Sequence, residues 1–124
     1  MNFKNLSVLT VILSLINSIF YLLFPAFSLL LLGQTAGPIG LLNTRVAGAC
    51  ALGMAVITWL SRDIQETSYQ RIVISGNLIM LSVLTLVEIE GTLSGALNWV
   101  GWLFIIADSL LAVSFARLLN KTAG

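Results

Sequence analysis

Apolar positions gather into four runs along the chain, separated by short polar or breaker-rich stretches. The runs lie at about 6–24, 39–60, 72–89 and 96–119, and each approaches the roughly 20 residues an α-helix needs to cross a bilayer. Pro25 ends the first run, because proline has no N–H to continue the ladder. The stretch Phe27-Ser28-Leu29-Leu30-Leu31-Leu32-Gly33 is too short to span and reads as an interfacial or re-entrant turn of helix. The breakers Gly37-Pro38 and Gly40 follow it. The second connection is polar and carries Arg62, Asp63, Gln65, Glu66 and Gln70. The third, Glu90-Gly91-Thr92-Leu93-Ser94-Gly95, is short. The expected architecture is all-α: a single domain, a four-transmembrane-helix bundle running up-down-up-down. The third helix is expected to be the shortest and the second the most centrally packed.

Polar residues inside the runs sharpen this picture, since lipid offers them no partner and they should face protein. Ser7, Thr10, Ser14, Asn17 and Tyr21 recur at 3-4-3-4 spacing, the seam of a left-handed helix pair. That stripe is either helix-packing glue or one wall of a polar cavity. In the second run Ala47, Ala51 and Ala55, and also Ala49 and Gly53, recur every four residues, which lets backbones approach closely. Spacing leaves open whether that contact is made within the chain or with another copy.

Arg45 and Asp108 are the notable charges within the runs. Arg45 lies about 6–8 Å below one surface at the helical rise per residue. Glu88 falls at a similar depth and Glu90 slightly higher, so an ion pair from Arg45 to one of them is expected. Asn43, Thr44 and Asn98 share that level. The pair would clamp two helices together, or with Asn43 and Asn98 would hold an anionic headgroup. Asp108 lies near mid-membrane, level with Ser14, Asn17 and Ser82. Gly101, Asp108 and Ala112 share a face, which points to the bundle interior. An ionisable residue at that depth is a functional candidate by position.

Composition narrows the function. Charged residues make up 9% of the chain and hydrophobic ones 58%, whereas a soluble domain carries about 25% charged residues. The net charge of +1 and the lack of a basic run argue against nucleic acid. Without histidine, the commonest metal ligand and general base is missing, and no cofactor is expected. The lone Cys50 forms no disulfide within the chain and reads as a small packing residue. No nucleophile–base pair or phosphate loop is present, so the reading leans away from an enzyme. The first run resembles a signal peptide in following Lys4. It is too long, however, and Phe24-Pro25-Ala26-Phe27 is no cleavage site, so a retained span is expected.

Orientation follows from the basic residues. Lys4, Arg62, Arg71, Arg117 and Lys121 fall on one side of a four-span topology, and the first and third connections have no Lys or Arg. The positive-inside rule then puts both termini in the cytoplasm. Trp59 suits the cytoplasmic interface, and Trp99 and Trp102 the opposite one.

Three segments carry a resemblance: Leu23-Phe24-Pro25-Ala26; Arg45-Val46-Ala47-Gly48-Ala49-Cys50-Ala51-Leu52-Gly53 followed by Trp59-Leu60-Ser61-Arg62; and Leu97-Asn98-Trp99-Val100-Gly101-Trp102. Together they resemble small prokaryotic four-helix integral membrane proteins of the DoxX-like kind. The resemblance implies the fold and a prokaryotic inner (plasma) membrane, and it transfers no catalytic residue. The chain is similar to small multidrug resistance transporters in size alone: their carboxylate lies in the first helix, which carries no acid here.

The leading expectation is a non-enzymatic accessory, scaffold or oligomeric subunit, with membrane lipids and a second copy or another membrane protein as partners through the second helix. A small-molecule or proton-coupled carrier would use Asp108. A lipid- or hydrophobic-ligand-binding protein would use Arg45, Asn43, Glu88 and Asn98.

Overall fold

A computed structural model describes residues 2–122, and its described residues form helices and connections, without strands. The helices are α1 (Phe3–Leu23), α2 (Pro25–Leu31), α3 (Pro38–Ser61), α4 (Thr67–Leu93) and α5 (Val100–Thr122). All except α2 are long and apolar enough to cross a membrane, the pattern of a multi-pass membrane protein.

Local chemistry sets the ends. The Asn2 side chain caps α1 by accepting from the Asn5 N–H at 2.9 Å. Phe24 closes α1 and opens α2, and Pro25 takes the first position of α2, where its missing N–H costs nothing. The exit of α2 turns through Gly33, whose φ of 81° favours glycine. Gln34 N–H then bonds back to Leu29 O at 2.9 Å and Gly33 N–H to Leu30 O at 3.0 Å. A side chain on Gly33 would also meet Asn98 Cβ at 3.1 Å.

α4 is the longest helix at 27 residues, not the shortest. Tyr69, Gln70, Glu88 and Glu90 lower the local hydropathy, yet a helix satisfies its own backbone and continues through them. Glu90 therefore stands within α4, not in the connection. Conversely, residues 96–99 lie outside α5, because Gly95 turns at φ 78° and Asn98 Oδ1 accepts from Val100 N–H at 2.9 Å.

The helices pack chiefly as two hairpins, α1 with α3 and α4 with α5. Gly48 permits the first: an added Cβ would come within 2.9 Å of Tyr21 Cβ and 3.0 Å of Leu22 Cγ. Gly101 permits the second, since a Cβ there would collide with the Thr92 hydroxyl.

At one end, the base, Lys4 pairs with Asp63 at 2.7 Å. Phe3 and Leu6 of α1 there join Ile74, Leu81, Leu111, Phe115 and Leu118 in one core cluster. Asn77 is fully buried; its amide donates to Thr58 Oγ1 at 3.1 Å, tying α4 to α3, and to Val73 O at 2.9 Å. Arg62 stacks 3.6 Å over the Trp59 ring. At the other end, α2 forms a roof, joined to the 94–99 connection by Asn98 N–H to Leu32 O at 3.0 Å and Asn98 Nδ2 to Leu31 O at 2.9 Å.

The expectation that the second spanning helix is the most central is overturned. Only 11% of the apolar window of α3 is buried, against 28% in α1 and α5. One stripe, including Gly48, Ala55 and Thr58, faces inward. Ala47, Ala49, Cys50 and Gly53 face out, so Cys50 is exposed and does not pack.

Candidate functional site

The α1 stripe points inward as its spacing predicts, but its surroundings change along the helix. Ser7 and Thr10, near the base, are fully enclosed, and their hydroxyls find no hydrogen-bond partner. Ser14, Asn17 and Tyr21 are half-buried. From Asn17 upward the stripe borders open space beneath the roof.

That space is a chain of neighbouring cavities. One of about 240 Å³ is lined by Asn17 of α1, Leu31 of α2, and Val100, Leu103, Phe104, Ala107 and Asp108 of α5, with Leu13. A smaller one of about 90 Å³ shares Asn17, Leu31 and Phe104 and adds Tyr21, Ser28 and Leu32. A third of about 290 Å³ shares Tyr21, Ser28 and Leu32 and continues to Asn43 and Thr44 of α3. α2 is thus a wall common to all three.

Asp108 and Asn17, expected at one level, do line one cavity. Asp108 accepts no hydrogen bond and forms no ion pair among the described residues. Ser14 stands one turn before Asn17 and gives its carbonyl to Ser18 Oγ at 2.6 Å. Ser82 is exposed on α4 and takes no part. Glu88 stands within electrostatic reach of Asp108, and Tyr21 within reach of both. Glu88 Oε2 is buried without a hydrogen-bond partner.

The expected Arg45 clamp does not form. The ion pairs among the described residues are Lys4–Asp63 and Arg62–Asp63, and Arg45 is exposed. Depth arithmetic gave its level but not its azimuth. Thr44 and Gly48 turn toward the bundle, and successive residues differ by 100°, which aims Arg45 outward. The four residues expected to hold a headgroup have separate surroundings. Asn43 borders the cavity by Tyr21 although largely exposed, Asn98 is engaged by the backbone of α2, and Glu88 lies within electrostatic reach of Asp108. Glu90 is exposed.

Tyr21, Phe104 and Leu31 complete the cavities, and only Tyr21 carried a signal in the stripe. Among the described residues no group of three acidic or thiol side chains is placed to hold a metal ion. No family model, no curated protein and no solved structure matches the chain.

Proposed function

We propose that the chain is a non-enzymatic protein of the prokaryotic inner membrane, acting as a subunit or scaffold that associates laterally through α3. In this reading it spans up-down-up-down with both termini cytoplasmic, and the DoxX-like resemblance is part of the same reading. The topology is supported by the one-sided basic residues and by the Lys4–Asp63 contact joining the N-terminus to the α3–α4 turn.

The carrying observation is the outward face of α3. Helices in lipid associate by close packing of small residues, because lipid tails are as apolar as leucine and supply no hydrophobic drive. Ala49 and Gly53 stand one turn apart on that face, and nothing lies within 4 Å of a Cβ built on Gly53. Gly48, one position away, is already used against α1. The connections are short, so a partner finds most of its surface within the bilayer.

Cys50 sits on this face and is the chain's one cysteine. Oxidation of native membranes with copper-phenanthroline should give a crosslinked species that Cys50→Ser abolishes and Gly53→Leu diminishes. A product of twice the chain's mass identifies a second copy, and a larger one another subunit. Failure to form any crosslinked species, with the chain monomeric in mild detergent, contradicts the reading.

A further inference from the structure

The cavity beneath the roof has one charged lining group, Asp108, set among Leu31, Leu103 and Phe104 with the Asn17 amide beside it. We propose that this cleft binds a small apolar molecule bearing a protonated amine, with the ammonium between the Asp108 carboxylate and Asn17 Oδ1 and the apolar body against Phe104.

Charge decides the class of ligand. A carboxylate in a lipid-embedded bundle calls for a cation, and none of the chain's six basic residues supplies one. Lys4 and Arg62 pair with Asp63, Arg45 is exposed on α3, and Arg71, Arg117 and Lys121 belong to the base. Glu88 adds a second carboxylate within electrostatic reach, and its buried Oε2 has no partner. An anion would be repelled by the Asp108 carboxylate; a neutral guest would leave it unpaired. An ammonium gives Asp108 a charge-assisted hydrogen bond and keeps donors for Asn17. The Phe104 ring lines the same cavity, and an aromatic ring there adds cation–π attraction.

Size bounds the guest. A cavity of about 240 Å³ lies just under the usual range for drug-sized ligands, about 300–1,000 Å³, so a single ring with a short amine chain is suitable. This inference uses none of the α3 face and stands apart from the lateral-association reading.

The test places the full chain in phosphatidylcholine nanodiscs, whose lipid has no net charge. The probe is 2-phenylethylamine, compared with its neutral counterpart propylbenzene and the anion 3-phenylpropionate, with empty discs subtracted. Calorimetry or saturation-transfer NMR should give saturable binding of the amine alone. Asp108→Asn, equal in size, should weaken it by about tenfold or more, and Asn17→Leu by less. Glu90→Gln, on the exposed side of α4, should leave it unchanged. The comparison among the three probes uses the unaltered chain and holds even where a variant fails to fold. No saturable amine binding, equal binding of propylbenzene, or a folded Asp108→Asn chain that binds as the parent does would each overturn the proposal.

Discussion

The base and the roof of this bundle border the same apolar helix α1, yet its polar stripe is packed differently at each. At the base, Phe115, Leu6 and Ile74 are fully enclosed, and Asn77 and Thr58 satisfy each other across α3 and α4. Under the roof, Asn17, Tyr21 and Asp108 border cavities. The same α1 stripe runs through both ends. Its polarity alone does not determine whether it is glue or wall; the facing side chains do. Phe115 and its cluster with Leu6 and Ile74 enclose the stripe near the base, whereas Ala107 and Asp108 line open space above.

The largest expected effect comes from opening the base. Phe115→Ala should lower stability toward the lower end of about 3–5 kcal/mol, because lipid is as apolar as the core and the transfer contribution is small. Phe104→Ala, which enlarges an existing cavity, should cost far less. Unfolding of both variants by SDS titration checks this, and equal losses would erase the distinction between the two ends.

The next largest effect concerns the two glycines of α3. Gly48→Leu forces α3 away from Tyr21 and Leu22 and should cost about 1–3 kcal/mol or more. Gly53→Leu meets open space and should leave thermal unfolding in detergent unchanged. Asn77→Ala should be milder, about 1 kcal/mol, the usual worth of a hydrogen bond between membrane helices. Amide exchange should then quicken at the base of α3 and α4 and not under the roof.

The smallest effect is at the surface. The Lys4 hydrogen bond and the Lys4 and Arg62 charges hold the Asp63 carboxyl below its ordinary value. A lowered folded pKa stabilises the fold above the ordinary carboxylate value, and that contribution is lost as pH falls through the lowered one. Both partners are well exposed, so water and salt screen the pair. Asp63→Asn should flatten this shallow acid-side slope in a melting-temperature profile without changing the neutral-pH fold.

Much of the fold was legible because four apolar runs and one 3-4-3-4 stripe are strong signals. That Asn17 and Asp108 border one cavity follows from counting depth and face along a helix. Arg45 was not legible, because depth says nothing about azimuth and its neighbours Thr44 and Gly48 take the inward positions. The outward turn of Ala49, Cys50 and Gly53 was hidden for the same reason: interleaved small-residue stripes look alike until a neighbour chooses one. The extent of α4 was hidden because Glu88 and Glu90 end a hydropathy run without ending a helix. The role of α2 as a wall depends on Gly33 and Asn98, 65 positions apart in the chain.

The contrast between the ends is tested most directly by thiol accessibility in a bilayer. In a Cys50→Ser background, Asn17→Cys and Thr10→Cys each place one thiol on the same α1 stripe, one beneath the roof and one where the stripe is enclosed. Methyl methanethiosulfonate should modify the thiol at 17 rapidly and leave the one at 10 protected until the protein unfolds. Equal rates at the two positions, or faster reaction at 10, would contradict a stripe enclosed at Thr10 and open at Asn17.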